Sequence, residues 1–191
     1  MTAIAHVTLL VVAAIVSHLS TSCALLQERL PGVALSDSNV IGVLDSLGED
    51  EIEAAQLAQE KASMREVQRF AGRVLNEHRQ LAESHRRLGA QLPAQPEPSA
   101  LTSQLKDAHQ DAMRELRALS GAAFDRAYVE YEITRHISAF HFVEAAADTE
   151  GNPVLKQELV RTGPDLLSHI SAARALERHL ASEPKAAIAA R

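Results

Sequence analysis

Tryptophan is absent, and aromatic residues make up only 3% of the 191 residues. A core must therefore be built from Ala, Leu, Val and Ile, which suits close helix packing better than a pleated sheet. An excess of positive charge is missing as well. The formal net charge is −6, which argues against nucleic acid as a partner, because binding phosphates needs a basic face. No Gly-rich phosphate loop and no G-x-S-x-G elbow occurs, so the enzyme classes built on them are set aside. A single cysteine, Cys23, excludes a disulfide within the chain. Long apolar stretches are lacking too. Val7 to Val16 runs for ten residues, the length of a signal core and too short to span a bilayer comfortably.

Small residues follow that run, Ser20-Thr21-Ser22-Cys23-Ala24, although no Lys or Arg precedes it. Cys23 sits where a signal is cut. Its neighbourhood resembles a bacterial lipobox, whose cysteine receives lipid and becomes the mature N-terminus. Ser20 occupies the place usually held by an aliphatic residue, and Leu19 lies one position too early. Three outcomes stand open: lipidation of Cys23, which makes the membrane a partner; plain secretion after cleavage at Ala24; and an uncleaved anchor. The expected location is exported, in the periplasm or as a membrane-anchored lipoprotein. The expected organisation is a signal over 1–23, a linker over 24–37 containing Pro31-Gly32, a helical domain over 38–182 and a fraying tail over 183–191.

Within the domain the punctuation is helical. Asp37 or Ser38 can cap a helix reaching about Lys61, and Ser63-x-x-Glu66 has the form of a capping box for a second helix ending near Leu92. Pro93, Pro96 and Pro98 mark a loop. A shorter helix spans about Ala100 to Leu119 and breaks at Ser120-Gly121. The next begins near Phe124 and stops at Gly151-Asn152-Pro153. The last runs from Pro153 to about Leu180, with a kink expected at Gly163-Pro164. The fold class implied is all-α, an antiparallel up-down four-helix bundle with an extra shorter helix.

Written at alternating spacings of 3 and 4, each long helix shows an apolar seam broken near its middle. The seams are Val40, Leu44, Leu47, Glu51, Ala54; Val67, Ala71, Val74, His78, Leu81, His85; Val129, Ile133, His136, Phe140, Val143; and Leu159, Thr162, Leu166, His169, Ala173. At roughly 1.5 Å per residue, the distances from each turn put Glu51 level with His78, and His136 level with His169. Three imidazoles and one carboxylate meeting in a core would give a four-ligand site for zinc, copper or iron. Glu132 and Asp165 each lie one turn before a histidine and could orient it, and His85 is a candidate outer ligand. Equally open is a metal-free layer in which Glu51 pairs with protonated histidines and sets helix register. His109 and His141 fall on weaker faces and read as solvated. Diiron chemistry of the carboxylate type needs Glu-x-x-His on two helices, and no Glu-x-x-His occurs.

The segments Glu51-Ile52-Glu53-Ala54-Ala55-Gln56-Leu57-Ala58, Glu66-Val67-Gln68-Arg69-Phe70-Ala71 and Asn76-Glu77-His78 resemble the first half of the bacterial domain-of-unknown-function family DUF4142. Phe124-Asp125-Arg126-Ala127-Tyr128, His136 and Pro164-Asp165-Leu166-Leu167-Ser168-His169 resemble its second half. The likeness spans about residues 38 to 180. It implies a ferritin-like helical protein, often exported or membrane-associated, with no established activity. Glu51, His78, His136 and His169 fall on the family's recurrent polar positions. Where the family usually has Asp before the first of these histidines, this chain has Glu77, which keeps the charge.

Overall fold

A computed structural model describes residues 35–182. The expected signal, Cys23, most of the linker and the tail lie outside the described residues. Five helices and no strand are present among them: α1 (Asp37–Lys61), α2 (Arg65–Gly89), α3 (Ala100–Ala118), α4 (Gly121–Thr149) and α5 (Pro153–Ser182). None is long and apolar enough to cross a membrane.

Two helical hairpins, α1/α2 and α4/α5, make up most of the packing, and α3 lies chiefly against α1. The turns locate these pieces. Ser36 caps α1, its hydroxyl accepting from Asn39 N at 3.2 Å. The Ser63/Glu66 box does not form. Instead Ser63 and Met64 at the start of α2 donate backbone N–H groups to the buried Asp125 carboxylate of α4, at 2.9 and 3.1 Å, and the Ser63 hydroxyl donates to it as well. A cap from another helix ties the α1–α2 turn to the beginning of α4. At the opposite end, Asn152 Nδ2 donates to Asp37 Oδ2 at 2.9 Å, so the α4–α5 turn sits beside the start of α1.

Helix α3 begins with a capping box that the sequence reading did not anticipate, made by Ser99 and Thr102. It ends on Lys61, whose ammonium donates to the Leu116 and Arg117 carbonyls. The break after α3 is sharp because Gly121 has φ +58°, a conformation that other residues adopt at a cost. The Pro-containing loop lies directly on α1: Glu97 N donates to Ser38 O at 3.1 Å. A Cβ at Gly42 would stand 2.4 Å from the Glu97 carbonyl oxygen, so only glycine allows that approach. Helix α5 runs unbroken through Pro164.

Apolar side chains form two clusters. One gathers Ala54, Ala58, Val67, Phe70, Val74, Met113, Leu116, Phe124, Tyr128, Ala173 and Leu176. The other gathers Val40, Leu44, Leu47, Phe142, Val143, Leu155, Leu159 and Leu166. The residues between them on α1, α2, α4 and α5 are polar. On α4 the buried face is wider than one seam and includes Tyr131, Glu132, Arg135 and Phe142, whereas Ile133 and Phe140 are only half-buried. The seam phase written for α4 was therefore too narrow, and it passed over several of the deepest groups.

Candidate metal centre

Between the two apolar clusters lie Glu51, His78, Glu132, His136 and His169, exposed by 4, 5, 0, 1 and 3%. Each sits at mid-helix, where the neighbouring turns bury Leu, Val or Ala on the same face. The end contacts at Asp125 and Asp37 hold the two hairpins so that these levels coincide.

Three imidazoles converge. His136 Nε2 is 2.9 Å from His169 Nδ1 and 3.4 Å from His78 Nε2, and one ring nitrogen from each lies within 4.8 Å of the others. The remaining ring nitrogens assign the protons. His136 Nδ1 is 2.9 Å from the Glu132 carbonyl; a carbonyl only accepts, so Nδ1 carries hydrogen and Nε2 carries the lone pair. His169 Nε2 meets the Glu77 carboxylate; in the neutral ring the proton sits there and Nδ1 faces the cluster with a lone pair. Two nitrogen lone pairs 2.9 Å apart repel unless a proton or a metal ion lies between them. A histidine whose second nitrogen donates to a carbonyl or carboxylate is the usual arrangement around a bound metal.

The electrostatics agree with neutral His78 and His136 rings. Burial pushes His78 down to about 3, against the attraction of Glu51. Burial and the neighbouring His169 bring His136 to about 3 as well. Burial acts to raise the Glu77 carboxyl, yet hydrogen bonds from His169 and Arg73 outweigh it and hold it below the usual range.

A second group shares His136. Glu51, Glu132 and His136 each bring one donor atom within 4.8 Å of the others. Glu132 Oε2 lies 3.4 Å from His136 Nδ1. Burial and the adjacent Glu51 drive Glu132 far above the usual carboxyl range, so it is protonated near neutral pH. Neither Glu132 oxygen has a well-formed hydrogen bond, although Tyr128 and Glu51 flank it; Glu51 Oε2 and His78 Nδ1 are also buried without one. Beside them is a cavity of about 30 Å³ lined by Glu51, His78, His85, His136 and apolar side chains such as Leu44 and Leu81.

The structure thus brings His78, His136 and His169 together and sets Glu51 with Glu132 against His136. Glu132 is nearer the centre than an orienting role implies. Asp165 is exposed, and the carboxylate that meets His169 is Glu77 from α2. His85 stands apart, 3.4 Å from Glu158 and 4.0 Å from Asp45. His141 is exposed, but His109 is buried rather than solvated: it lies 2.9 Å from the Tyr131 hydroxyl and 3.2 Å from Glu53. It belongs to a polar network in which Arg135, fully within α4, pairs with Asp50 and lies 3.9 Å from Glu51. Burial lifts Asp50 to about 7 despite the Arg135 guanidinium beside it. A buried Arg next to a histidine, with Asp50-Glu51 adjacent on α1, was the available signal for this network.

Fold and site together define an all-helical protein with a histidine- and glutamate-rich centre between two hairpins. The chain belongs to the DUF4142 family, described as a domain of unknown function, which it matches over residues 25–176. Comparison with curated proteins and with solved structures gives no match.

Proposed function

We propose that the protein is an exported, antiparallel four-helix bundle that holds one transition-metal ion through His78, His136 and His169, with Glu51 as the fourth donor. The observation that carries this reading is the set of three buried imidazoles that bring one ring nitrogen each within 4.8 Å of the others. Two of them, His136 and His169, face each other with nitrogens that have no hydrogen to share once the other nitrogen of each neutral ring has donated. Nitrogen-rich donors with one carboxylate suit zinc, copper or iron(II) more than magnesium or calcium. Glu51 Oε2 is buried, unbonded and beside His136, so turning it to the ion would satisfy an atom that otherwise loses its hydration. Glu77 and the Glu132 carbonyl orient two of the ligands.

The test is elemental analysis of protein stripped with chelator and reloaded. About one ion per chain is expected, lost in His136→Leu and kept in His85→Leu. A wild-type protein that retains no zinc, cobalt or copper overturns the reading. A second reading has its own support in the Arg135–Asp50 pair beside Glu51: a metal-free polar layer that sets helix register in an envelope interaction protein. Absence of metal together with strong destabilisation by Glu51→Gln would favour it. The export component rests on the Val7–Val16 run and the small residues around Cys23. Intact-mass measurement of protein from a bacterial envelope should show a mature start at Cys23 or after Ala24, with added lipid mass if Cys23 is the anchor.

A further inference from the structure

A cavity of about 350 Å³ opens between α2 and α5, and two of the three clustered imidazoles, His78 and His169, form part of its wall. That volume lies within the range of small-ligand sites and is far more than a metal ion needs. Around it stand three guanidinium groups, Arg73, Arg87 and Arg161, with the hydroxyls of Ser84, Thr162 and Ser168. The arginines are positioned from both helices: Arg73 donates to Ser168 at 2.8 Å, and Arg161 donates to Glu158 at 2.6 Å and to Ser84 at 3.3 Å. Glu51 and Glu132 are not on this wall. They group with His136, which is not on it either, so an ion held by the histidines would have this cavity beside His78 and His169.

The ion and the guanidinium N–H groups together select the ligand. The three arginines of the wall face Glu77 and Asp165, and each has a carboxylate partner, Glu77 for Arg73, Glu83 for Arg87 and Glu158 for Arg161. The wall itself is therefore close to balanced in charge; Arg87 uses only one of its nitrogens on Glu83. A divalent ion on neutral histidines would add two positive charges at the inner end. With that ion in place a second cation is repelled from the inner end. A neutral apolar molecule would strip water from guanidinium groups without replacing it, which is costly.

We infer that this chamber binds a small oxyanion, of the carboxylate or phosphate type, which reaches the metal on the side of His78 and His169 and is held at its outer end by Arg87 and Arg161. Planar guanidinium groups suit two-point contacts with such anions. This inference rests on the metal-binding reading and names the class of ligand that the metal would meet.

Cobalt(II)-loaded protein supplies the test, because its visible spectrum changes when an anion enters the coordination sphere. Titration at constant ionic strength with inorganic phosphate, and separately with acetate, should give a saturable spectral change. The tighter of the two identifies which chemistry the chamber prefers. Arg87 and Arg161 have side chains 66 and 54% exposed, so Arg87→Gln and Arg161→Gln should fold and keep their cobalt stoichiometry. Each should weaken anion binding by roughly ten- to a hundredfold, the value of a charged hydrogen bond. Cobalt uptake with a spectrum indifferent to both anions overturns the inference and leaves the metal reading intact. Equal anion affinity in wild type and both variants also overturns it, by showing that the anion reaches the metal without the arginines. Failure to take up cobalt removes both proposals.

Discussion

Replacing Glu132 with Met should stabilise the metal-free protein. The Glu132 side chain has no exposed surface, is held protonated by burial and by Glu51, and has no well-formed hydrogen bond on either oxygen. An unsatisfied buried polar group costs about 1–3 kcal/mol, and a thioether of similar length removes that cost without opening a cavity. The expected gain is therefore about 1–3 kcal/mol, corresponding to a rise in Tm of roughly 3–9 °C for a domain of this size. Urea denaturation with a chelator present, fitted by linear extrapolation, reads the first number, and a thermal scan reads the second. Adding saturating zinc should stabilise wild type by about 2.7 kcal/mol at a hundredfold excess over Kd. In Glu132→Met that increment should be smaller, because a polar group touching His136 has gone. A loss of more than about 1 kcal/mol on Glu132→Met in the metal-free state would refute the reasoning, since it would mean that the carboxyl is already well partnered.

Three other perturbations bear on the fold and its charge states. Asp125→Ala should cost about 2–4 kcal/mol in the same urea assay, because it strands two backbone N–H groups and a hydroxyl. Ser63→Ala, which keeps the two backbone bonds, should cost only about 1 kcal/mol. Phe142→Ala should cost about 3–5 kcal/mol, since Phe142 is fully buried; the half-buried Phe140 should lose clearly less on the same change. For pH, the depressed histidines His78 and His136 contribute stability that is complete above about 6.5 and lost as pH falls toward 3. Asp50, raised to about 7 from 3.8, has the opposite sign: its contribution is lost as pH rises through about 7. Asp50→Asn should therefore make stability climb with pH about 1.4 kcal/mol per unit more steeply than wild type between pH 4.5 and 6.5. Parallel curves for the two proteins would contradict that.

The helical class was legible because Pro93, Ser120-Gly121 and Gly151-Asn152-Pro153 punctuate strongly periodic segments, and the observed boundaries fall within about three residues of them. The middle of the chain's polar pattern was legible for the same reason: His78, His136 and His169 each interrupt an otherwise apolar run. What periodicity could not supply was anything decided between helices. Asp125 reads as a surface residue next to Phe124 until its partners, Ser63 and Met64, come from another hairpin. Glu77 lies off the seam, one position from His78, so a rule that selects every third or fourth residue discards it even though its carboxylate reaches across to His169. On α4 a helix packed on more than one side buries more than one stripe, which is why a single seam chose Phe140 and passed over Glu132, Arg135 and Phe142.

A polar layer that only sets register has no reason to leave donors and acceptors unmatched, since each unmatched group costs stability and adds nothing to specificity. This layer does leave them unmatched, and most of them lie around His136. In the network around Arg135, Asp50, His109, Tyr131 and Glu53 the closest contacts are paired, and one buried atom, Arg135 Nε, lacks a hydrogen bond. Close by on α1, α4 and α2, Glu51, Glu132 and His78 keep buried atoms without partners, and His136 and His169 turn ring nitrogens toward each other at 2.9 Å. Neighbouring turns of α1 and α4 thus take part in a nearly completed set of polar contacts and in a much less complete one. Packing error would not sort them that way, because both sets share the same backbone and the same burial. A ligand that accepts lone pairs and carries positive charge completes the second set and adds nothing to the first. A metal ion is such a ligand, and local rules are expected to fail at functional sites in this manner.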